Sequence, residues 1–79
     1  LHKGHVEIVE STLGEKSRLI GQAVRDITLP QGSFIAYVFR NGAGMQVNGD
    51  TIFETGDMVV AMVPTARAEE LRSVFADIA

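Results

Sequence analysis

Residues 33–47 read Ser-Phe-Ile-Ala-Tyr-Val-Phe-Arg-Asn-Gly-Ala-Gly-Met-Gln-Val, and the architecture is built around them. Phe34, Ala36 and Val38 alternate with Ile35, Tyr37 and Phe39, so a strand here carries apolar side chains on both faces. Both faces then need cover, from the domain's own layers or from a second copy. Asn41-Gly42 is the favoured dipeptide of a two-residue hairpin turn, and it leads through Ala43-Gly44 into a short strand at Met45 to Val47. An antiparallel hairpin is therefore expected.

On the C-terminal side, Asn48-Gly49-Asp50 reads as a turn, Thr51 to Phe53 as a very short strand and Gly56-Asp57 as another turn. Met58 to Val63 is a continuous apolar run, the pattern of a central strand buried on both faces. Pro64-Thr65 punctuates it. Thr65 is placed to N-cap a closing helix whose Ala68, Leu71, Phe75 and Ile78 recur at helical spacing, with Glu69 and Glu70 near its positive end.

On the N-terminal side, His5 to Glu10 alternates with Val6 and Ile8 on one face and Glu7 and Val9 on the other, as in a half-buried strand. Ser11 to Lys16 is polar and loop-like. Ile20, Val24 and Ile27 recur at i, i+4 and i+7, the stripe of a short amphipathic helix that Pro30 ends. The expected order is β-α-β-β-(β)-β-α: one small α+β sandwich spanning residues 1–79, a mostly antiparallel sheet with a short helix after strand 1 and a C-terminal helix.

A chain of 79 residues removes only about 60–65% of its unfolded surface from water on folding. Its 46% apolar content against 22% charged places it outside disordered composition, and it has no cysteine, so neither disulfides nor thiolate metal sites supplement the core. Oligomerisation is the remaining aid, and a homodimer is expected through the Phe34 to Phe39 strand and the Ile20 to Ile27 helix. The net charge is −3 and the basic residues are scattered, which argues against a nucleic-acid partner. Met58 to Pro64 is the longest apolar run, far below the ~20 residues of a spanning helix, so no direct membrane insertion is expected. The first residue is Leu1 and no leader pattern precedes the first strand, which reads as a piece of a longer chain.

Chemistry-bearing clusters are sparse. His2, His5 and Glu7 have a metal-like look, yet on a strand His2 faces away from the other two, so a solvated strand end is the better reading than zinc. Asp50, Glu54 and Asp57 lie in successive turns, where Asp accepts local backbone hydrogen bonds, and this is favoured over cation ligation. Gly42-Ala43-Gly44 lacks the third glycine and the strand-to-helix setting of a dinucleotide fingerprint. Met45, Met58 and Met62 read as core filler, and Tyr37 and Phe39 as packed rather than base-stacking. No catalytic set emerges.

The run Ser17-Arg18-Leu19-Ile20-Gly21-Gln22-Ala23-Val24-Arg25-Asp26-Ile27-Thr28-Leu29-Pro30-Gln31-Gly32 is followed by the two-faced strand, Arg40-Asn41-Gly42, Asn48-Gly49-Asp50-Thr51 and Glu54-Thr55-Gly56-Asp57, then an apolar strand and a helix. This pattern, from about Val6 to Ile78, resembles the TrkA C-terminal domain, the second half of an RCK unit. The resemblance implies a regulatory, non-catalytic module of a potassium uptake or related cation transport system. It implies a cytoplasmic place at the inner face of the plasma membrane, reached through a membrane transporter subunit or domain. No cofactor is implied in this domain; NAD(H) or ATP is expected in a neighbouring domain if the parent is Trk-type.

Family dimers hold a small effector, a nucleotide or divalent cation, in a cleft between copies, which maps onto Val24, Ile27, Thr28, Phe34 and Ile35. The expected dimer contacts are Ile20, Val24, Ile35, Tyr37 and Phe39. Cyclic di-AMP binders of the family carry a basic residue after the helix and an amide at the head of the strand; here those places hold Thr28 and Phe34, a departure that leaves a dianion's phosphates unpaired. The alternatives are a purely structural dimerisation module, or a soluble loop domain of an antiporter or dicarboxylate-type transporter.

Overall fold

Four strands, β1 (Val6–Thr12), β2 (Phe34–Arg40), β3 (Ala43–Met45) and β4 (Met58–Pro64), form one antiparallel sheet in the order β1-β4-β2-β3. They are seen in a computed structural model that describes residues 5–77. β4 is central, as its continuous apolar run predicts. Helix α1 (Ala68–Phe75) packs on β1 and β4 and buries Ala68, Leu71 and Phe75; Ile78, the last residue of its predicted stripe, lies outside the described residues. Thr65 begins a 3-10 turn that precedes α1 and is not its N-cap; its backbone N–H donates to the His5 carbonyl at 2.9 Å.

The hairpin forms at Asn41-Gly42, where both residues have positive φ (53° and 78°), the conformation of a type I′ turn. Its third strand is Ala43–Met45, two residues earlier than the expected Met45 to Val47. Gly44 stands opposite Phe39, and the Tyr37 and Phe39 rings, 5.3 Å apart and edge-on, lean over it. A Cβ on Gly44 would lie 2.5 Å from Tyr37 Cε2. Gly44→Val should therefore displace the Tyr37 ring and destabilise the domain by about 1–3 kcal/mol, measurable by urea denaturation.

The amphipathic helix expected over Ile20 to Ile27 does not form. Residues 15–21 make successive turns, and only Val24–Asp26 closes a 3-10 turn. Gly21 adopts φ +82°, which no right-handed helix accommodates. Its N–H donates to Phe53 O, Phe53 N–H to Gln22 O, Val24 N–H to Thr51 O and Arg25 N–H to Gly49 O, at 2.9–3.1 Å. The backbone partners that a helix would supply locally are thus found across the domain, in the segment containing the Ala23↔Ile52 bridge. The Thr51 to Phe53 strand shrinks to that single bridge. Gly21→Ala, which meets no steric neighbour, should still lose about 1–2 kcal/mol through the positive φ alone.

The core lies between the inner sheet face, α1 and the loops of residues 13–33 and 46–57. It is made by Val9, Leu13, Leu19, Ile35, Val38, Phe53, Val59, Ala61, Val63, Ala68, Leu71 and Phe75. The two strands flanking β4 differ in parity: β1 keeps simple alternation and β2 does not. In β1 it is Val9 that is buried, while Val6 and Ile8 are exposed at 59% and 58%. In β2 a bulge between Ile35 and Tyr37 inserts Ala36, so Ile35 and Val38 point to the core while Phe34, Tyr37 and Phe39 share the outer face. β4 is buried on one face only: Val59, Ala61 and Val63 face in, and Met58, Val60 and Met62 are half-buried on the outside.

Candidate functional site

An open pocket of about 240 Å³ lies between the loop of residues 18–28 and α1. Its apolar wall is Leu19, Ile27 and Val74; its polar groups are Arg18, Gln22, Asp26 and Thr28. Two hydrogen bonds organise it: the Arg18 guanidinium donates to Ser73 O (3.2 Å) and the Gln22 amide to Arg18 O (2.6 Å). With one arginine and one aspartate in the wall, the pocket carries no net charge to offset a dianion.

Of the expected ligand residues, Ile27 and Thr28 line this pocket, whereas Val24, Phe34 and Ile35 do not. Ile35 is buried in the core and Phe34 is 57% exposed on the outer sheet face, so the two lie on opposite sides of β2. The expected dimer contacts divide in the same way. Tyr37 and Phe39 are on the outer face, but Ile20 and Val24 pack against the core on the inner side and Ile35 is part of it. These five residues cannot form one contiguous surface. Arg18, Gln22, Asp26 and Val74 went unnoticed in the sequence, although Arg18, Gln22 and Asp26 recur at four-residue spacing and read as the solvated side of a helix.

The acidic turns are all engaged by arginines. Asp57 is fully buried and receives Arg40 Nε on Oδ1 and Arg40 Nη2 on Oδ2, both at 2.8 Å. It also accepts Glu54 N–H (2.9 Å), the local backbone bond expected of it. Arg40 further donates to Ile52 O (2.8 Å) and Glu54 Oε2 (3.1 Å). The guanidinium holds the Asp57 carboxyl below the usual carboxylate range, against burial, which pushes it up; Asp57 in turn raises Arg40. Asp50 pairs with Arg25, while the turn's backbone bond goes to Asn48, whose Oδ1 accepts Asp50 N–H at 2.8 Å. Glu7 pairs with Arg72 of α1 at 3.0 Å, and His2 of the metal-like trio lies outside the described residues. No group of three possible metal ligands occurs among the described residues.

A family model, the TrkA-C domain, matches residues 8–76. The Trk system potassium uptake protein TrkA homolog of Archaeoglobus fulgidus is 38% identical over 72 residues, 91% of this chain and 16% of that protein. The Azorhizobium caulinodans Trk system potassium uptake protein TrkA is 38% identical over 71 residues, 90% of this chain and 15% of its own length. The K(+)/H(+) antiporter NhaP2 of Shewanella oneidensis is 30% identical over 73 residues, 92% of this chain and 13% of that protein. The chain thus spans about one-sixth or less of these relatives. A solved structure of an RCK domain with cda superposes with TM-score 0.74 at 18% identity, covering 87% of this chain and 97% of that one.

Proposed function

This chain belongs to the TrkA-C domain family, and from that premise we propose that it is a regulatory domain of a potassium transport system, acting as a homodimer that couples a small effector to transport. The match over residues 8–76 carries this reading. Relatives that include both Trk uptake proteins and K(+)/H(+) antiporters support potassium as the cargo and a membrane transporter as the partner. No helix among the described residues is long and apolar enough to cross a membrane. We further propose, from the kinship with transporter subunits and antiporters alone, that the domain works on the cytoplasmic side and that any NAD(H) or ATP is bound by a neighbouring domain.

The mechanism is one of coupling without chemistry. An effector that makes different contacts in two arrangements of the dimer shifts their populations, and the attached transporter feels that shift. About 1–3 kcal/mol is the usual scale of such coupling. The uncharged balance of the pocket at Ile27 and Thr28 favours a ligand without two unpaired phosphates. Titration of the protein with nucleotides, cyclic dinucleotides and divalent cations by calorimetry and thermal shift tests this. Saturable binding that is weakened by Thr28→Lys or Ile27→Ala is expected; no binding by any of them would leave a purely structural dimerisation module.

A further inference from the structure

Four of the chain's five arginines, Arg25, Arg40, Arg67 and Arg72, are ion-paired with at least one carboxylate. Arg18 has no such partner among the described residues, and Asp26 has no cation. Yet both border the pocket between the 18–28 loop and α1, beyond ion-pair reach of one another, beside the apolar Leu19, Ile27 and Val74. Arg18 is held there with donors to spare. Its Nη2 donates to Ser73 O, a carbonyl in the last turn of α1 that has no partner within the helix, and its own carbonyl accepts the Gln22 amide. Nε and Nη1 of the planar fork remain for a carboxylate. Asp26 closes the Val24–Asp26 turn, its N–H donating to Ala23 O at 2.9 Å, and its carboxylate can only accept.

We propose that this pocket takes a small zwitterion with an aliphatic side chain, an α-amino acid of leucine size. Its carboxylate meets the Arg18 fork, its ammonium meets Asp26, and its side chain lies against Leu19, Ile27 and Val74. The inference rests on the reading of this pocket as the effector site and names the chemical class of the effector. A ligand with both charges satisfies both walls, whereas an anion alone is repelled by Asp26 and a cation alone by Arg18. The volume of about 240 Å³ is below the ~300 Å³ at which sites for drug-sized ligands begin, which suits an amino acid better than a nucleotide. None of the described lining residues is aromatic, so there is no stacking surface for a purine and no cation–π platform for a quaternary ammonium. A primary ammonium, which can donate to both Asp26 and the Thr28 hydroxyl, is the cation that fits.

Calorimetry with L-leucine and two analogues tests the proposal: 4-methylpentanoate, which lacks the ammonium, and 3-methylbutylamine, which lacks the carboxylate. The site is open to water, so leucine should bind with a Kd of roughly 0.1–1 mM, about 10-fold tighter than either analogue. Arg18→Gln should remove the advantage of leucine over 3-methylbutylamine and keep that over 4-methylpentanoate; Asp26→Asn should do the reverse. A loss of structure cannot produce this crossed pattern, and since both residues are exposed circular dichroism should be unchanged. Arg67→Gln, which breaks the exposed pair with Glu70 outside the pocket, should leave all three affinities as they are. Leucine binding that survives both pocket substitutions overturns the site, and equal binding of leucine and its analogues overturns the zwitterion class. A nucleotide or divalent cation that binds where leucine at roughly 10 mM does not overturns the class while the effector reading stands. Silence from every ligand, leucine included, overturns both.

Discussion

Arg40→Leu should destabilise the domain by about 3–5 kcal/mol, because it leaves the fully buried Asp57 carboxylate without its counter-ion. A domain of this size has only roughly 4–12 kcal/mol to lose. Asp57→Leu should cost less: Arg40 keeps a side chain 24% exposed to water and its bond to Ile52 O. The double variant Arg40→Leu/Asp57→Leu should recover much of the loss, since neither charge is then stranded.

The pH dependence of unfolding distinguishes these outcomes. In the unaltered protein the folded-state Asp57 lies below its unfolded value. Its contribution is therefore complete above about pH 4, the ordinary carboxylate value, and is lost as pH falls through the depressed folded value. In Arg40→Leu the sign reverses. Burial without a partner lifts the folded-state carboxyl above its unfolded value, so stability is greatest below about pH 4 and declines as pH rises through the raised value. Urea denaturation of the two proteins from pH 3 to 7 should show opposite slopes from this group. Equal slopes would mean that Arg40 does not set the state of Asp57.

Phe53→Ala should also cost about 3–5 kcal/mol, through the lost burial and the cavity left behind. Phe53 is fully buried, and its backbone exchanges hydrogen bonds with Gly21 and Gln22. It therefore anchors the loop that carries Gln22, Asp26, Ile27 and Thr28. The effect should exceed global destabilisation alone: amide exchange in residues 18–28 should accelerate beyond that in β4, because this loop has turns and long-range bonds where a helix would have its own ladder. Uniform acceleration across the domain would show that Phe53 supports the core without any special hold on the loop.

The features that could be read directly were those whose signals are local. Asn41-Gly42 announced the hairpin because both residues must take positive φ. The run at Met58 to Val63 announced a central strand, and Ala68, Leu71 and Phe75 announced the face of α1. The order of turns and strands also carried the resemblance to TrkA-C domains. The stripe Ile20, Val24, Ile27 misled because helical spacing is only a weak constraint: Gly21 interrupts it, and Thr51, Phe53 and Gly49 supply the carbonyls and amides that a helix would have satisfied itself. Of the site, Ile27 and Thr28 were legible through the resemblance, while Arg18, Gln22 and Asp26 looked like any solvated helix face.

The sequence by itself determined the number and type of most elements and the antiparallel hairpin. Only the tertiary structure decided which side of the sheet each apolar side chain takes. Ala36 enters the sheet as a bulge, which shifts parity by one residue and moves Tyr37 and Phe39 to the side of Phe34. No local signal marks it, because a bulge is a property of the register between β2 and β4. The same holds for Arg40 and Asp57, which are 17 residues apart and become an ion pair only once the end of β2 meets the turn that precedes β4. Long-range pairings depend on the whole chain closing on itself, and neither composition nor spacing contains them.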